Sequence, residues 1–373
     1  MNYEKIIFHE LGVTVELSTF APESKTKEQH AILHVEPRGE LFAAQYDRLA
    51  RAEQALLAQP QCAGYRILFK RYFLSDATNQ ASVIDASTIN QPPLDGSKVA
   101  AWFYLASDMT VAKHDGLLVA SHNGYEHLWM LGLTESEGDS AAQTTALLNR
   151  YETALQRCGA TLADNCIRTW FYVRDVDTQY AGMVRARREF FEARGLTKDT
   201  HFIASTGIGG SPADTHALVQ LGTYALKGFE PAQQHYLYAK THLNSTYEYG
   251  VTFERGTVIN YGDRRHVYIS GTASINHRGE VVHVGDIVRQ TERMWENVEA
   301  LLAEAETSFN DVAQIIVYLR DLADYTTVKA LFDERFPEMP CVITLAPVCR
   351  PTWLIEMECL AIRKADNSGF RDF

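Results

Sequence analysis

Two short stretches, Tyr172-Val173-Arg174-Asp175 and Tyr318-Leu319-Arg320-Asp321, repeat one pattern in distant parts of the chain. Each ends a run of largely apolar residues that is typical of a buried strand. Around each stretch the predicted elements come in the same order: two strands, a helix, a strand, a helix and a closing strand. The match therefore predicts that these parts of the chain are structural repeats.

The predicted elements of the repeats share one order. Those of the C-terminal repeat are strand His266–Ser270, helix Asp286–Glu306, strand Val312–Leu319, helix Tyr325–Arg335 and closing strand Leu354–Ile362. Those of the middle repeat are strand Leu128–Leu131, helix Ser140–Arg157, strand Arg168–Val173, helix Tyr180–Arg194 and closing strand His216–Leu226. A weaker first copy comprises strand Ala31–Val35, helix Leu41–Gln59, strand Tyr65–Leu74 and closing strand Val99–Ala106. Its second helix is predicted to be short or missing, because Pro92, Pro93 and Gly96 indicate a loop.

These repeats predict an α/β (α+β) protein of three units, residues 1–110, 111–235 and 236–373. No low-complexity segment or long flexible linker separates the copies, so we expect them to pack against one another.

The composition narrows the class of protein. A hydrophobic fraction of 46% in 373 residues is typical of a globular protein, and the net charge of −12 argues against nucleic acid or an anionic membrane as a partner. The six cysteines show neither a CxxC motif nor zinc-site spacing, which favours free thiols in a reducing compartment. With no signal-peptide pattern and no apolar run of 18 residues, we expect a cytoplasmic protein.

Common cofactor and nucleophile motifs are missing. The thirteen histidines are scattered without metal-site spacing, so no metal is expected. The glycines at 207–210 lack the dinucleotide fingerprint and precede a predicted strand, which argues against a nucleotide cofactor. Neither Ser270 nor Ser274 lies in a nucleophile elbow. We expect chemistry without metal or organic cofactor.

The closing strand of the C-terminal repeat carries two acidic residues. A two-residue period places Glu356 and Glu358 on one face, with Ile355 and Met357 on the other. Neighbouring carboxylates raise each other's pKa, and burial raises it further. The pair therefore indicates a proton donor, and the alternative is an edge strand with a solvated acidic face.

Several stretches resemble two related families. The C-terminal repeat resembles the Rid (YjgF-like) family in His266–Gly271, Gln290, Thr291, Asn297, Val317–Asp321 and Leu354–Glu358. That family forms homotrimers with ligand clefts between subunits, which implies an intramolecular pseudo-trimer here, monomeric or in a loose homo-oligomer. Nearly the whole chain resembles the chorismatases in Ala204–Ile208, Tyr249–Thr257, Ser270–Ile275 and Val348–Arg350. Those enzymes cleave the enolpyruvyl ether of chorismate.

The resemblance implies roles for three residues. Glu356 would protonate the methylene carbon of chorismate, a task that suits a carboxyl with a raised pKa. Glu358 would hold it protonated, and Cys349 would mark the branch that releases 3-hydroxybenzoate with pyruvate. Alternatively, Cys349 is a small buried apolar residue. Aligned closing strands place Gln220 and Ala101 at the position of Glu356, so one cleft alone keeps the acid.

Candidate substrate-binding residues must offset the two carboxylates of chorismate. Arg168, Trp170, Tyr172 and Arg174 alternate along one strand face, which we place at a cleft between units. The alternative is a solvated edge or pairing with Asp175 or Asp177. The other candidates are Ser205, Thr206 and Gly207 as a carboxylate nest, together with Phe253, Arg255, Gly271 and Arg350.

Three other functions stay open. Water could be added, giving pyruvate and a dihydroxycyclohexadiene carboxylate. A Rid-type imine deaminase is disfavoured because Met339 stands where the deaminating members of that family have a substrate-binding Arg. A non-catalytic metabolite-binding protein is the last possibility.

Overall fold

A computed structural model describes residues 1–23 and 26–373. It contains three six-stranded sheets, one for each predicted unit. The strands of the first sheet are β1 Asn2–Phe8, β2 Val13–Phe20, β3 Glu28–Val35, β4 Tyr65–Leu74, β5 Ser87–Asn90 and β6 Val99–Ser107. Those of the second are β7 Thr110–His114, β8 Leu117–His122, β9 Tyr125–Thr134, β10 Cys166–Val173, β11 Ala204–Gly209 and β12 Val219–Lys227. Those of the third are β13 Gln234–Leu237, β14 Gly256–Asn260, β15 Arg264–Ala273, β16 Val312–Leu319, β17 Cys341–Leu345 and β18 Ile355–Lys364.

Seven α-helices accompany the sheets in the described residues. They are α1 Phe42–Leu57, α2 Ala77–Gln80, α3 Ser140–Arg157, α4 Leu162–Asn165, α5 Val176–Glu192, α6 Ile287–Glu304 and α7 Tyr325–Arg335. None of the helices in these residues is both long and apolar enough to cross a membrane. The one-turn α2 stands where the first unit was predicted to have a short or missing second helix.

The three sheets share one topology, which confirms the predicted fold. The strand orders are β1-β2-β3-β6-β4-β5, β7-β8-β9-β12-β10-β11 and β13-β14-β15-β18-β16-β17. In each sheet the closing strand lies at the centre, and the short strand before it pairs in parallel with a neighbour. The solvated acidic edge is therefore wrong, because β18 is flanked on both sides by β15 and β16.

Helix α5 begins at Val176 and not at Tyr180 as predicted. Asp175, directly before it, has the left-handed backbone conformation (φ 46°), so the chain turns there and enters the helix at once. The predicted unit limits at 110 and 235 lie close to the gaps between sheets. We propose boundaries at residues 108–109 and 228–233 instead, since no strand of the described residues crosses either gap.

Each unit touches the other two. The first unit binds the third through the Tyr3 hydroxyl and the Val312 carbonyl oxygen, 2.7 Å apart. The second binds the third where the Gly209 N–H donates to Pro347, and Ile208 bridges Val348. The first binds the second through Asn90 and Ser211. The inner sheet faces share one apolar core, while the outer faces pack against the helices.

Cross-strand pairing shows which residues are equivalent. Tyr318 pairs with Glu356, and Tyr172 pairs with Gln220. In the first unit Phe73 takes the place of these tyrosines and pairs with Ala100. The predicted counterpart Ala101 is therefore wrong by one residue. Because side chains alternate along a strand, Ala101 faces helix α1 and Ala100 faces the interior.

Candidate active site

Glu356 lies in a cleft between the second and third units. The second unit contributes residues of α5 and β11, and the third contributes the ends of β15 and β18 with the loops before β14 and β18. The lining residues are Tyr180, Arg187, Ser205, Gly207, Val251, Phe253, Arg255, Gly271, Ala273, Ile275, Cys349, Arg350, Trp353 and Glu356.

The carboxyl group of Glu356 is set up to stay protonated. The residue is 5% exposed, and burial raises its pKa from 4.5 to about 8, with the charge of Glu358 adding to the rise. Arg168 and Arg255 oppose the shift. Among the described residues none donates a hydrogen bond to this carboxyl. A neutral acid therefore faces the cleft.

Glu358, two residues further along the same face of β18, is surrounded by donors. Its Oε2 lies 2.8 Å from Arg168 Nη2 and accepts from the Thr206 hydroxyl, while its Oε1 lies 2.7 Å from Trp170 Nε1. Both charged residues are 2% exposed. The three donors stabilise the negative charge of Glu358, which in turn disfavours ionisation of Glu356.

Gly271 allows the Glu356 carboxyl to lie against the backbone of β15. A β-carbon at this position would be 2.1 Å from Glu356 Oε1, far inside van der Waals contact. We expect Gly271→Ala to displace the Glu356 carboxyl. The kcat of a reaction in which this carboxyl donates a proton should then fall at least tenfold, because small misplacements of reacting groups slow catalysis strongly. Gly369→Ala is the control, because nothing lies within 4 Å of its added carbon. Equal kcat values for the two variants would contradict this placement.

Cys349 and Tyr180 form a pair beside Glu356. The Cys349 thiol lies next to the Tyr180 hydroxyl. Burial, followed by the charge of Glu356, raises the pKa of Cys349 to about 12, so it remains a thiol. Tyr180 fits because Gly207 has no side chain: a β-carbon there would lie 3.0 Å from the tyrosine ring.

The cleft also gathers cations in an acidic protein. Arg187 and Arg255 have their guanidinium carbons 6.0 and 5.5 Å from the centre of the Phe253 ring. Arg255 is held by the carbonyl and side-chain oxygens of Asn244, and the Arg350 guanidinium lies over Trp353. Three arginines in one cleft favour an anionic ligand.

Sequence reasoning missed Arg187 and Tyr180. Both lie on the apolar stripe of α5 with Met183, at helical spacings of three and four residues. Arg187 is 1% exposed. A charged residue within an apolar helical stripe was the signal that could have identified it.

The predicted Arg-Trp-Tyr-Arg row is not at the cleft surface. Arg168 and Trp170 bind Glu358 behind it, and Tyr172 points into the central core. Arg174 donates to the carbonyl oxygens of Pro212, Asp214 and Ala217 and so braces a loop. The solvated-edge alternative is also wrong for this row, because strand β10 is buried along its whole length.

The predicted carboxylate nest at Ser205–Gly207 is wrong. These residues belong to strand β11, which pairs in parallel with β10, and the Ser205 N–H donates to the Ser270 hydroxyl. Thr206 donates to Glu358 and accepts from the Gly271 N–H. A strand uses its N–H groups in pairing, so Ser205 and Gly207 contribute to the cleft wall and not to an anion nest.

Met339 belongs to a different cleft. It lies between the third and first units, near Glu16, His34 and Tyr325. Strand register gives the equivalent residue in the second unit. Ser205 pairs with Thr169 as Cys341 pairs with Ile315, so the counterpart of Met339, two residues before Cys341, is Ile203. Ile203 is buried and uncharged, so no arginine stands at that position either.

Comparisons with known proteins identify relatives of the third unit and of the whole fold. Residues 257–363 match the family model described as Endoribonuclease L-PSP. A RutC family protein of Pyrococcus abyssi is 38% identical over 101 residues, which cover 26% of this chain and 79% of that protein. A 3-aminoacrylate deaminase RutC of Acinetobacter baylyi is 39% identical over 72 residues, covering 19% of this chain and 57% of that protein. The crystal structure of a chorismatase matches 82% of this chain and 96% of its own, with a TM-score of 0.65 and 20% identity.

Proposed function

Because this chain belongs to the RutC family and shares its overall fold with a chorismatase, we propose that it cleaves the enolpyruvyl ether of chorismate, with Glu356 as general acid. The observation that carries the proposal is the buried Glu356 carboxyl, whose pKa is raised to about 8 and which faces a cleft containing three arginines. Both sides of this cleft come from one chain, so a monomer suffices.

The first step is proton transfer to carbon. The neutral Glu356 carboxyl donates its proton to the terminal methylene, and the double-bond electrons form the new C–H bond. The ether oxygen then shares the positive charge of an oxocarbenium ion. Glu356 is now a carboxylate, and together with Glu358 it stabilises that charge electrostatically.

The arginines of the cleft would bind the two carboxylates of the substrate. Arg187 and Arg255 flank Phe253 on opposite units, and Arg350 lies beside Cys349. Guanidinium groups that bind the substrate carboxylates would hold its methylene carbon against Glu356. The Phe253 ring, between Arg187 and Arg255, would pack against the cyclohexadiene ring of the substrate.

Two products differ by one water molecule. In hydrolysis, water adds to the oxocarbenium carbon, the bond from that carbon to the ring oxygen breaks, and pyruvate leaves with a dihydroxycyclohexadiene carboxylate. In the alternative no water adds: the neighbouring ring hydroxyl displaces pyruvate from the ring carbon, the C–O bond to pyruvate breaks, the hydroxyl proton returns to the Glu356 carboxylate, and the resulting ring epoxide isomerises to 3-hydroxybenzoate. We propose the second outcome, with the Cys349 thiol and Tyr180 hydroxyl occupying the space beside the reacting carbon.

Cys349→Ala should therefore change the product more than the rate. Removing the thiol leaves room for a water beside Glu356 and the Tyr180 hydroxyl, so we expect the diol to become the main ring product. Chromatography of the ring product measures this ratio. Cys359→Ala, which alters a buried thiol of strand β18, should keep 3-hydroxybenzoate as the product. An unchanged ratio in Cys349→Ala would remove this residue from product choice.

The rate should depend on pH through the raised pKa of Glu356. The acid form is required, so kcat stays level below about pH 8 and falls about tenfold per unit above it. Initial rates of pyruvate release across pH 6 to 10 give the profile. A level profile through pH 9 would be inconsistent with Glu356 as the donor.

The direct test of function is incubation of the purified protein with chorismate, coupling pyruvate to lactate dehydrogenase and separating the ring product. Pyruvate in step with an aromatic acid supports the proposal. Absence of pyruvate overturns it.

Enamine or imine deamination is the second candidate, because one relative is named a 3-aminoacrylate deaminase. The buried acid would suit protonation of an enamine carbon as well. However, Ile203 stands where a deaminase of the Rid type would have its carboxylate-binding arginine. Keto-acid release from 2-aminoacrylate without chorismate turnover would favour this candidate.

A further inference from the structure

Arg71 is a buried cation enclosed by aromatic rings. It lies on β4 of the first unit and is 1% exposed. Its guanidinium carbon is 4.5 Å from the ring centre of Trp170, 5.3 Å from that of Trp102 and 5.6 Å from that of Tyr172. In the part of the chain that the structure describes, no carboxylate forms an ion pair with it.

The N–H groups of Arg71 lack acceptors. Within residues 1–23 and 26–373, its Nε and Nη1 atoms are buried and have no hydrogen-bond partner. The hydroxyl groups of Tyr172 and Tyr318 are buried and unpartnered in the same way. Aromatic faces interact with a guanidinium above and below its plane, whereas the N–H bonds point outward within that plane. The rings therefore do not satisfy these donors.

The neighbouring charges do not neutralise Arg71. The carboxylate of Glu358 is bound by Arg168, Trp170 and Thr206. Tyr172 and Tyr318 remain neutral, since burial raises the pKa of each despite the opposing charges of Arg71 and Arg168. A guanidinium does not lose its proton in proteins. The group of two arginines and one glutamate thus carries one uncompensated positive charge.

Gly222 packs beside this group. A β-carbon at Gly222 would lie 3.5 Å from Arg71 Nη2, an ordinary van der Waals distance, so the backbone of β12 comes close to the guanidinium. Buried charges in proteins are normally paired or bind ions, because an isolated charge in a low-dielectric interior is costly.

We propose that Arg71 binds a small monovalent inorganic anion of the halide class at the centre of the pseudo-trimer. The ion accepts from the N–H groups of Arg71 and from the hydroxyls of Tyr172 and Tyr318. It couples all three units, because these donors come one from each unit. The enclosure favours a halide over sulfate or phosphate, which are larger and doubly charged.

Halide titration of the intact protein tests the site. Chloride replaces gluconate at constant ionic strength while Tm is measured, and we expect a saturable rise. At a chloride concentration 100-fold above Kd, the folded state is favoured about 100-fold. Arg71→Met should abolish the chloride dependence. Arg194→Met is the matched control. Arg194 is paired with Glu152, so this substitution should leave the chloride dependence of Tm unchanged.

If Arg71→Met does not fold, a second variant and a direct observation test the same site. Tyr172→Phe removes one donor hydroxyl and keeps the aromatic ring, so it should weaken chloride binding severalfold. Crystals of the unaltered protein grown with bromide should show an anomalous peak within hydrogen-bond distance of Arg71. Water at that position without an anomalous peak, or equal chloride dependence in Arg71→Met and the unaltered protein, would overturn the proposal.

Discussion

Glu356→Gln should lower kcat for pyruvate release by about three orders of magnitude while chorismate still binds. Glutamine has nearly the shape of the protonated acid but cannot release a proton to carbon, and general-acid catalysis contributes about 10²–10⁴-fold. Rapid-mixing kinetics measure the rate of pyruvate release. Calorimetry measures the affinity for chorismate, which should change only severalfold.

Glu254→Gln is the matched control for this variant. Glu254 is also buried and its pKa is also raised by burial, but it accepts a hydrogen bond from the Phe202 N–H, which a glutamine oxygen can still accept. Its kcat should stay within about threefold of the unaltered protein. If Glu356→Gln kept more than a tenth of the activity, another group would have to be the acid.

The same substitution should stabilise the protein at alkaline pH. Folding raises the pKa of Glu356 from 4.5 to about 8, so between these values the folded state holds a proton that the unfolded state has released. Stability from this group therefore falls as pH rises from 4.5 to about 8. Glutamine does not titrate, so Glu356→Gln lacks this pH-dependent loss of stability. The Tm of the variant relative to the unaltered protein should therefore rise between pH 4.5 and about 8.

Arg168→Met should destabilise the protein by about 3–5 kcal/mol, because it leaves the Glu358 carboxylate buried without its cation. The two residues are each 2% exposed, with Nη2 and Oε2 2.8 Å apart. Denaturant unfolding at neutral pH measures the loss. Adding Glu358→Gln to Arg168→Met should recover part of it, since the uncompensated charge is then gone.

Arg51→Met serves as the control for Arg168→Met. Its pair with Asp47 is exposed on α1, so its removal should cost less than about 1 kcal/mol. Similar losses of unfolding free energy in Arg51→Met and Arg168→Met would mean that the buried Arg168–Glu358 pair does not stabilise the centre of the site.

Much of the fold followed from local pattern. The repeated Tyr172 and Tyr318 stretches identified two units, and the predicted bounds of α3, α7, β4 and β16 match the structure. Short strands such as β11 and β17 were missed, because β17 has only five residues and β11 contains serine, threonine and two glycines, which also fit a loop.

The site was predictable only within one strand. The period of β18 brought Glu356 and Glu358 together, since that relation is local. The partners Arg187 and Tyr180 come from another unit, and no spacing along the chain specifies which cleft they enter. The misplacement of Met339 has the same cause: its neighbours are set by packing between units.

The decisive measurement is a single turnover of chorismate in D₂O, with the methyl group of the released pyruvate analysed by mass spectrometry. Glu356 exchanges its proton with solvent before the reaction, so we expect one deuterium in the methyl group, and about a thousandfold slower pyruvate release from Glu356→Gln. An undeuterated methyl group would show that the hydrogen came from the ring of the substrate, which would contradict protonation by Glu356, as would the absence of pyruvate altogether.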